Sequence, residues 1–214
     1  MSRPVLVVVA AGATVGFGAF GLVTGAGQTV TYLVTVVLLG VLVVRLDRTV
    51  RFSDLVAVGL TGWAVAHLAG GMIGIEGDRV LYNAVLAPRL RYDNVVHFCG
   101  FGVAGIATWE ALAPRLMRRD PPALAAGITV WLFGMGIGAL NEVVEFAIAL
   151  NLEESNVGGY LNTGRDLVAN MLGAAVAGAI VARRLLTLHG LSWYQSTCPF
   201  QATSRLIIPR RLHT

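Results

Sequence analysis

Apolar residues run in blocks along this chain, and the polar positions that interrupt them are few enough to be read one by one. The blocks cover about 4–24, 28–46, 54–75, 93–113, 122–150 and 165–186, and each is near the roughly 20 residues that an α-helix needs to cross a bilayer. The pattern predicts an all-α, polytopic membrane protein with six transmembrane helices. The first block is longer than a typical signal-peptide core and no convincing small-residue cleavage site follows it, so it too reads as a helix. The connections are VTGAGQ, LDRTVRFS, EGDRVLYNAVLAPRLRYD, PRLMRRDPP and NLEESNVGGYLNTGR. The third of these, over 76–91, carries VLYNAVLAP between charged ends and is expected to lie flat at the interface as an amphipathic lid. After Arg184 the residues turn to Ser, Thr, Gln, Cys and Arg with no acid. That shift divides the chain into a six-helix transmembrane domain, 1–186, and a basic cytoplasmic tail, 187–214.

Composition agrees with the pattern. Of 214 residues, 56% are apolar and 13% charged, and the mean hydropathy is +0.71. A soluble domain carries about a quarter of its residues as charges, so a soluble class is excluded. All 16 basic residues are arginine, a coding bias that gives no reason to read nucleic-acid binding into the basic balance. Cys99 and Cys198 are too few for a disulfide framework.

Arginine placement orients the helices through the excess of basic residues on cytoplasmic loops. The N-terminus, the second and fourth connections and the tail hold twelve arginines, against four on the other side: Arg79, Arg89, Arg91 and Arg165. Both termini are therefore expected in the cytoplasm.

With that topology, the polar residues inside the spans fall at one depth, the outer third of the bilayer. His67 lies near the end of the third span, Asp93 and His97 at the start of the fourth. Asn141, Glu142 and Glu145 are in the last third of the fifth, and Asp166 and Asn170 open the sixth. Some have plain structural readings. Asp93 and Asp166 can cap helices and complement the positive end of the dipole, Asn141 and Asn170 can be interhelical hydrogen-bond glue, and His67 can be a packed histidine with a satisfied ring. Glu142 and Glu145 resist such readings. A charge at helix centre costs roughly 2.5–3.5 kcal/mol on insertion scales, and an interhelical hydrogen bond returns about 0.6 kcal/mol.

Spacing concentrates the signal. Asp93 and His97, Asn141 and Glu145, and Asp166 and Asn170 are i,i+4 pairs, and Glu142 and Glu145 are i,i+3, so each pair stacks on one helix face. Imidazoles and carboxylates converging from several helices suit a divalent metal with a further carboxylate as general base. Proton relays use the same residue types.

The segments HLAGGM, VLYN, YDNVVHF, NEVVEF and NTGRDLVANMLGA, taken in order over about 60–180, resemble the YjdF-like family of small integral membrane proteins, and more distantly the VanZ-like proteins linked to glycopeptide resistance. The resemblance implies a multi-helix membrane domain with no assigned activity, whose recurrent polar positions fall here at His67, Asp93, His97, Glu142, Asp166 and Asn170. The chain departs from the VanZ-like pattern at Asn94, where lysine is common, and at Glu145, where glutamine is common. It departs from the YjdF-like pattern at Asn162, where an acid is frequent.

Glycines in GFGVAG, GMGIGA and GAAVAG recur four apart, a spacing that lets helix backbones approach closely. No strand precedes them and no P-loop lysine follows, so they are not a nucleotide loop.

Three functional classes follow. One is an enzyme on a lipid-linked or amphipathic substrate. In it His97, Glu142, Glu145 and Asp93 work as acid and base, His67, His97 and Asp166 hold a metal, and Asn170, Arg165 and Arg91 contact the substrate head group. The cofactor is open, a divalent metal being the candidate. The second class is a proton- or cation-coupled transporter or channel, and the third a structural membrane anchor. The scarcity of polar residues deeper than His67 favours the enzyme.

Overall fold

The computed structural model describes residues 2–26, 28–77, 79–117, 121–151 and 159–197, with side chains of the last stretch described to residue 187. Six helices are long and apolar enough to cross a membrane: α1 (Arg3–Thr24), α2 (Thr29–Val50), α3 (Asp54–Met72), α4 (Tyr92–Leu116), α5 (Ala123–Asn151) and α6 (Tyr160–Thr197). Their ends are set by local chemistry. Pro4 opens α1, where its missing N–H costs nothing. Gly25 closes α1 in the left-handed region with φ 69°, a conformation that glycine adopts without a Cβ clash. Ser53 caps α3 by accepting from the Val56 N–H, and its own N–H donates to Glu110 of α4 at 2.8 Å.

Helices α4, α5 and α6 pack most closely on one another, and α3 joins them to α1 and α2. The tightness follows from missing side chains. A Cβ on Gly173 of α6 would strike the Phe98 carbonyl of α4, one on Gly102 would meet the Gly173 carbonyl, and those on Gly127 and Gly178 would meet each other's backbone across α5 and α6. Below these contacts an apolar core of Phe52, Val56, Ile106, Ala126, Val130, Ala177 and Val181 fills the end of the bundle where α1 begins and α4 finishes. Outward faces are as apolar as the core: Val15 and Leu22 of α1 are each 72% exposed. Such surface suits lipid and would be a liability in water.

Two differences from the expected boundaries matter. First, α6 begins at Tyr160 and not near residue 165, so Asp166 stands in its second turn, where it cannot cap the helix. Second, α6 continues to Thr197, into the stretch expected as tail; residues 198–214, with Cys198, lie outside the described residues.

The connection between α3 and α4 folds as two small antiparallel pairs. β1 (Gly74–Ile75) pairs with β2 (Arg79–Val80), and β3 (Val85–Ala87) with β4 (Leu90–Arg91). Between them a single 3-10 turn, Leu81–Asn83, turns back over the bundle.

Candidate functional site

Helix α4 supplies the centre of the site. The Arg91 N–H donates to the Asn94 side chain at 3.0 Å, which fixes the first turn, and Asp93 in that turn faces the positive helix end. One turn deeper His97 is only 6% exposed. Glycines place its neighbours: Gly138 of α5 leaves the space that Asn170 of α6 fills, since a Cβ there would collide with the Asn170 side chain.

Each ring nitrogen of His97 faces oxygen. Nδ1 lies 3.1 Å from Asn170 Oδ1 and 3.5 Å from Glu142 Oε1. Nε2 lies 3.5 Å from Asp93 Oδ1 and 3.9 Å from Glu145 Oε1. Asp166, fully buried, completes a second ring of contacts: its two oxygens accept from Asn94 at 2.8 Å and from Asn162 at 2.6 Å. Asn162 also donates to Asp93 at 3.3 Å and accepts from Arg91 at 3.3 Å. Glu145 accepts from Asn141 at 2.7 Å, the i,i+4 pair that the spacing indicates.

Four carboxylates thus surround one imidazole, and Arg91 reaches them only through Asn162. Among the described residues, two sets offer one ligand atom from each member with all atoms within 4.8 Å: Asp93, His97 and Asp166, and His97, Glu142 and Glu145. Both oxygens of Glu142 and the Asn170 amide nitrogen are buried without a hydrogen-bond partner among the described residues. Unpaired polar atoms at such depth cost about 1–3 kcal/mol each.

A cavity of about 120 Å³ opens beside this cluster, with Asp93, His97 and Glu145 on one wall and Trp63, His67 and Tyr82 on the other. His67 belongs to that second wall and not to either ligand set. Its ring stacks on Trp63 with centroids 4.9 Å apart and meets the edge of Tyr32 at 5.2 Å. Its Nδ1 is hydrogen-bonded to the Tyr82 hydroxyl. Burial first, and next the nearby Tyr32, Asp93 and Glu145, push the Tyr82 phenol well above its ordinary range. The Tyr92 hydroxyl donates to the Ala66 carbonyl at 3.0 Å and ties α4 to this wall. The 3-10 turn that carries Tyr82 therefore sits over the cluster, as expected of the connection, although built from strand pairs.

Of the residues singled out by sequence, Asp93, His97, Glu142, Glu145, Asp166 and Asn170 come together. His67 shares the cavity from across it. Arg91 joins through Asn162, whereas Arg165 is exposed and touches none of the cluster among the described residues. Three participants are not among the candidate site residues that the sequence offers. Asn162 stands i,i+4 before Asp166, the same spacing signal read elsewhere, but the glycines and asparagines around it read as a loop. Asn94 follows Asp93 and looks like part of a cap. Tyr82 comes from a connection that no periodicity marks.

A family model described as "Predicted membrane protein (DUF2238)" matches residues 4–187. No curated protein and no solved structure matches. Nothing in these comparisons supports the more distant VanZ-like likeness.

Proposed function

The chain belongs to this DUF2238 family of predicted membrane proteins, and because that description names no reaction, we propose one from the site itself: a divalent-metal-dependent, intramembrane enzyme acting on a lipid-linked or amphipathic substrate. One observation carries the reading. With Nδ1–H of His97 donating to Asn170, as the 3.1 Å contact requires of an amide oxygen, Nε2 of the neutral ring presents a lone pair to the carboxylates of Asp93 and Glu145 at 3.5 and 3.9 Å. A lone pair held against carboxylate oxygens is repulsive, and a cation beside Nε2 would turn the imidazole and Asp93 into ligands.

Asp93, His97 and Asp166 are the proposed ligand set. The surroundings have the form that metal sites use: the second imidazole nitrogen is hydrogen-bonded and Asp166 is aimed by two asparagines. A bound cation would polarise a substrate oxygen or acidify a water. Glu142, whose oxygens accept no hydrogen bond among the described residues, is the general base, Glu145 holds charge balance at Nε2, and Asn170 orients the imidazole. The apolar core and the backbone contacts between Gly127 and Gly178 close the bundle beyond the site, which favours an enzyme over a transport path.

Elemental analysis of protein purified without chelator tests the reading. About one divalent metal per chain is expected, lost in Asp166→Asn and His97→Gln and kept in Glu142→Gln. Protein that carries no metal and takes up neither Zn²⁺ nor Mn²⁺ in titration calorimetry overturns it. The arginine distribution supports placing the site on the non-cytoplasmic side. Reporter fusions after residues 85 and 117 are expected on opposite sides, the former outside, and a shared side would refute that orientation.

A further inference from the structure

His67 is a polar group of the cavity that the metal reading does not use. Three aromatic side chains hold its ring, with Trp63 on the face and Tyr32 and Tyr82 edge-on or tilted. Its Nδ1 meets the Tyr82 hydroxyl, and its Nε2 is buried with no hydrogen-bond partner among the described residues.

The sense of the Tyr82 contact decides what Nε2 is. Tyr82 shows no other hydrogen-bond partner among the described residues, so if Nδ1–H donated, the phenol proton would be stranded in a buried place. If Tyr82 donates, its proton is satisfied and Nδ1 is the acceptor. A neutral imidazole with an unprotonated Nδ1 carries its hydrogen on Nε2. Burial keeps the phenol protonated and so able to donate. The ring is then a fixed donor, and it has no lone pair left for a metal.

We infer that His67, positioned by Tyr82, donates its Nε2–H to a phosphoryl oxygen of the substrate, held between this donor and the cation on the opposite wall. This rests on the metal reading for the second anchor of that oxygen. The cavity holds roughly four waters' worth of volume, enough for a phosphoryl-sized group and too small for a whole lipid, so the rest of such a substrate stays outside. An oxygen ligand fits because the buried unsatisfied atom on this wall, among the described residues, is a donor. Charge would favour a phosphate once a divalent cation is held by Asp93, His97 and Asp166, and Asn162, which lines the same cavity, is hydrogen-bonded to Arg91 at 3.3 Å.

The test is ¹⁵N NMR of histidine-labelled full-length protein in lipid nanodiscs, with His67→Phe to assign the signals. A protonated Nε2 and a bare Nδ1 at His67 are expected, and this tautomer is expected to relax in Tyr82→Phe. With Zn²⁺ present, dihexanoyl phosphatidic acid and inorganic phosphate are titrated separately. A shift of the Nε2–H signal by either supports the donor role, and the stronger of the two identifies the source of the phosphate, lipid-borne or free. His67→Phe should weaken phosphatidic acid binding about tenfold, the worth of one buried hydrogen bond, while His67→Gln retains part of it. A bare Nε2 at His67, a direct response of Nε2 to Zn²⁺ alone, or no response to either phosphate overturns the inference. Loss of Zn²⁺ binding with the tautomer and the phosphate response intact would instead defeat the metal reading alone.

Discussion

One buried stripe on α6 contains two different solutions to the same problem. Stepping four residues at a time, Asn162, Asp166 and Asn170 are followed by Ala174 and Gly178. Helix α4 repeats the change with Asp93 and His97 followed by Phe101 and Gly105, and α5 runs it in reverse from Val130, Gly134 and Gly138 to Glu142. At one end the helices are held by side-chain hydrogen bonds; along the rest they touch through their backbones. In hydrocarbon no hydrophobic force drives helices together, so close van der Waals packing and polar contacts are the two means of association. Packing is insensitive to ligand and tolerates no added atom. The polar end tolerates change but depends on every partner being present.

The contrast can be broken most severely at Gly173, where any side chain meets the Phe98 carbonyl. Gly173→Val is expected to cost about 3 kcal/mol or more, read as a lowered unfolding midpoint in detergent titration. At the polar end Asp166→Ala strands the amides of Asn94 and Asn162 and should cost about 2 kcal/mol, with addition of metal failing to restore stability. Glu142→Gln should move the other way, raising apo-protein stability by about 1 kcal/mol, because it removes one of four crowded carboxylates without stranding a donor. A loss of stability in this variant would mean that Glu142 is a structural partner. The smallest effect belongs to Gly136, around which a Cβ meets nothing. Gly136→Ala should be neutral or stabilising by up to about 1 kcal/mol from helix propensity, and a large loss would show that position to be packed against another chain.

The apolar part of this arrangement is plain in the sequence, because block length signals a span and small residues four apart signal contact. The polar part is legible only within each helix. Asp93 with His97 and Asn141 with Glu145 can be paired from spacing alone, since a helix fixes which of its own residues share a face. Which faces meet is a tertiary fact. Nothing in the order of residues says that α3 brings His67 to Tyr82 and leaves it outside both ligand sets. Asn162 was obscured for another reason: glycine and asparagine around it read as loop, whereas the contacts to Asp93 and Asp166 hold that stretch as helix.

Because α6 follows α4 and α5 in the chain, the hydrogen-bonding groups that complete the cluster reach the membrane after the residues they serve. During synthesis Asn94 and His97 arrive before Asp166 and Asn170 exist, and Glu142 arrives beside His97 with its neighbouring wall missing. The fourth and fifth segments must then either wait in a wet channel or enter lipid with polar groups exposed. A chain cut before Tyr160 would therefore present cellular quality control with the very carboxylates that the finished bundle conceals.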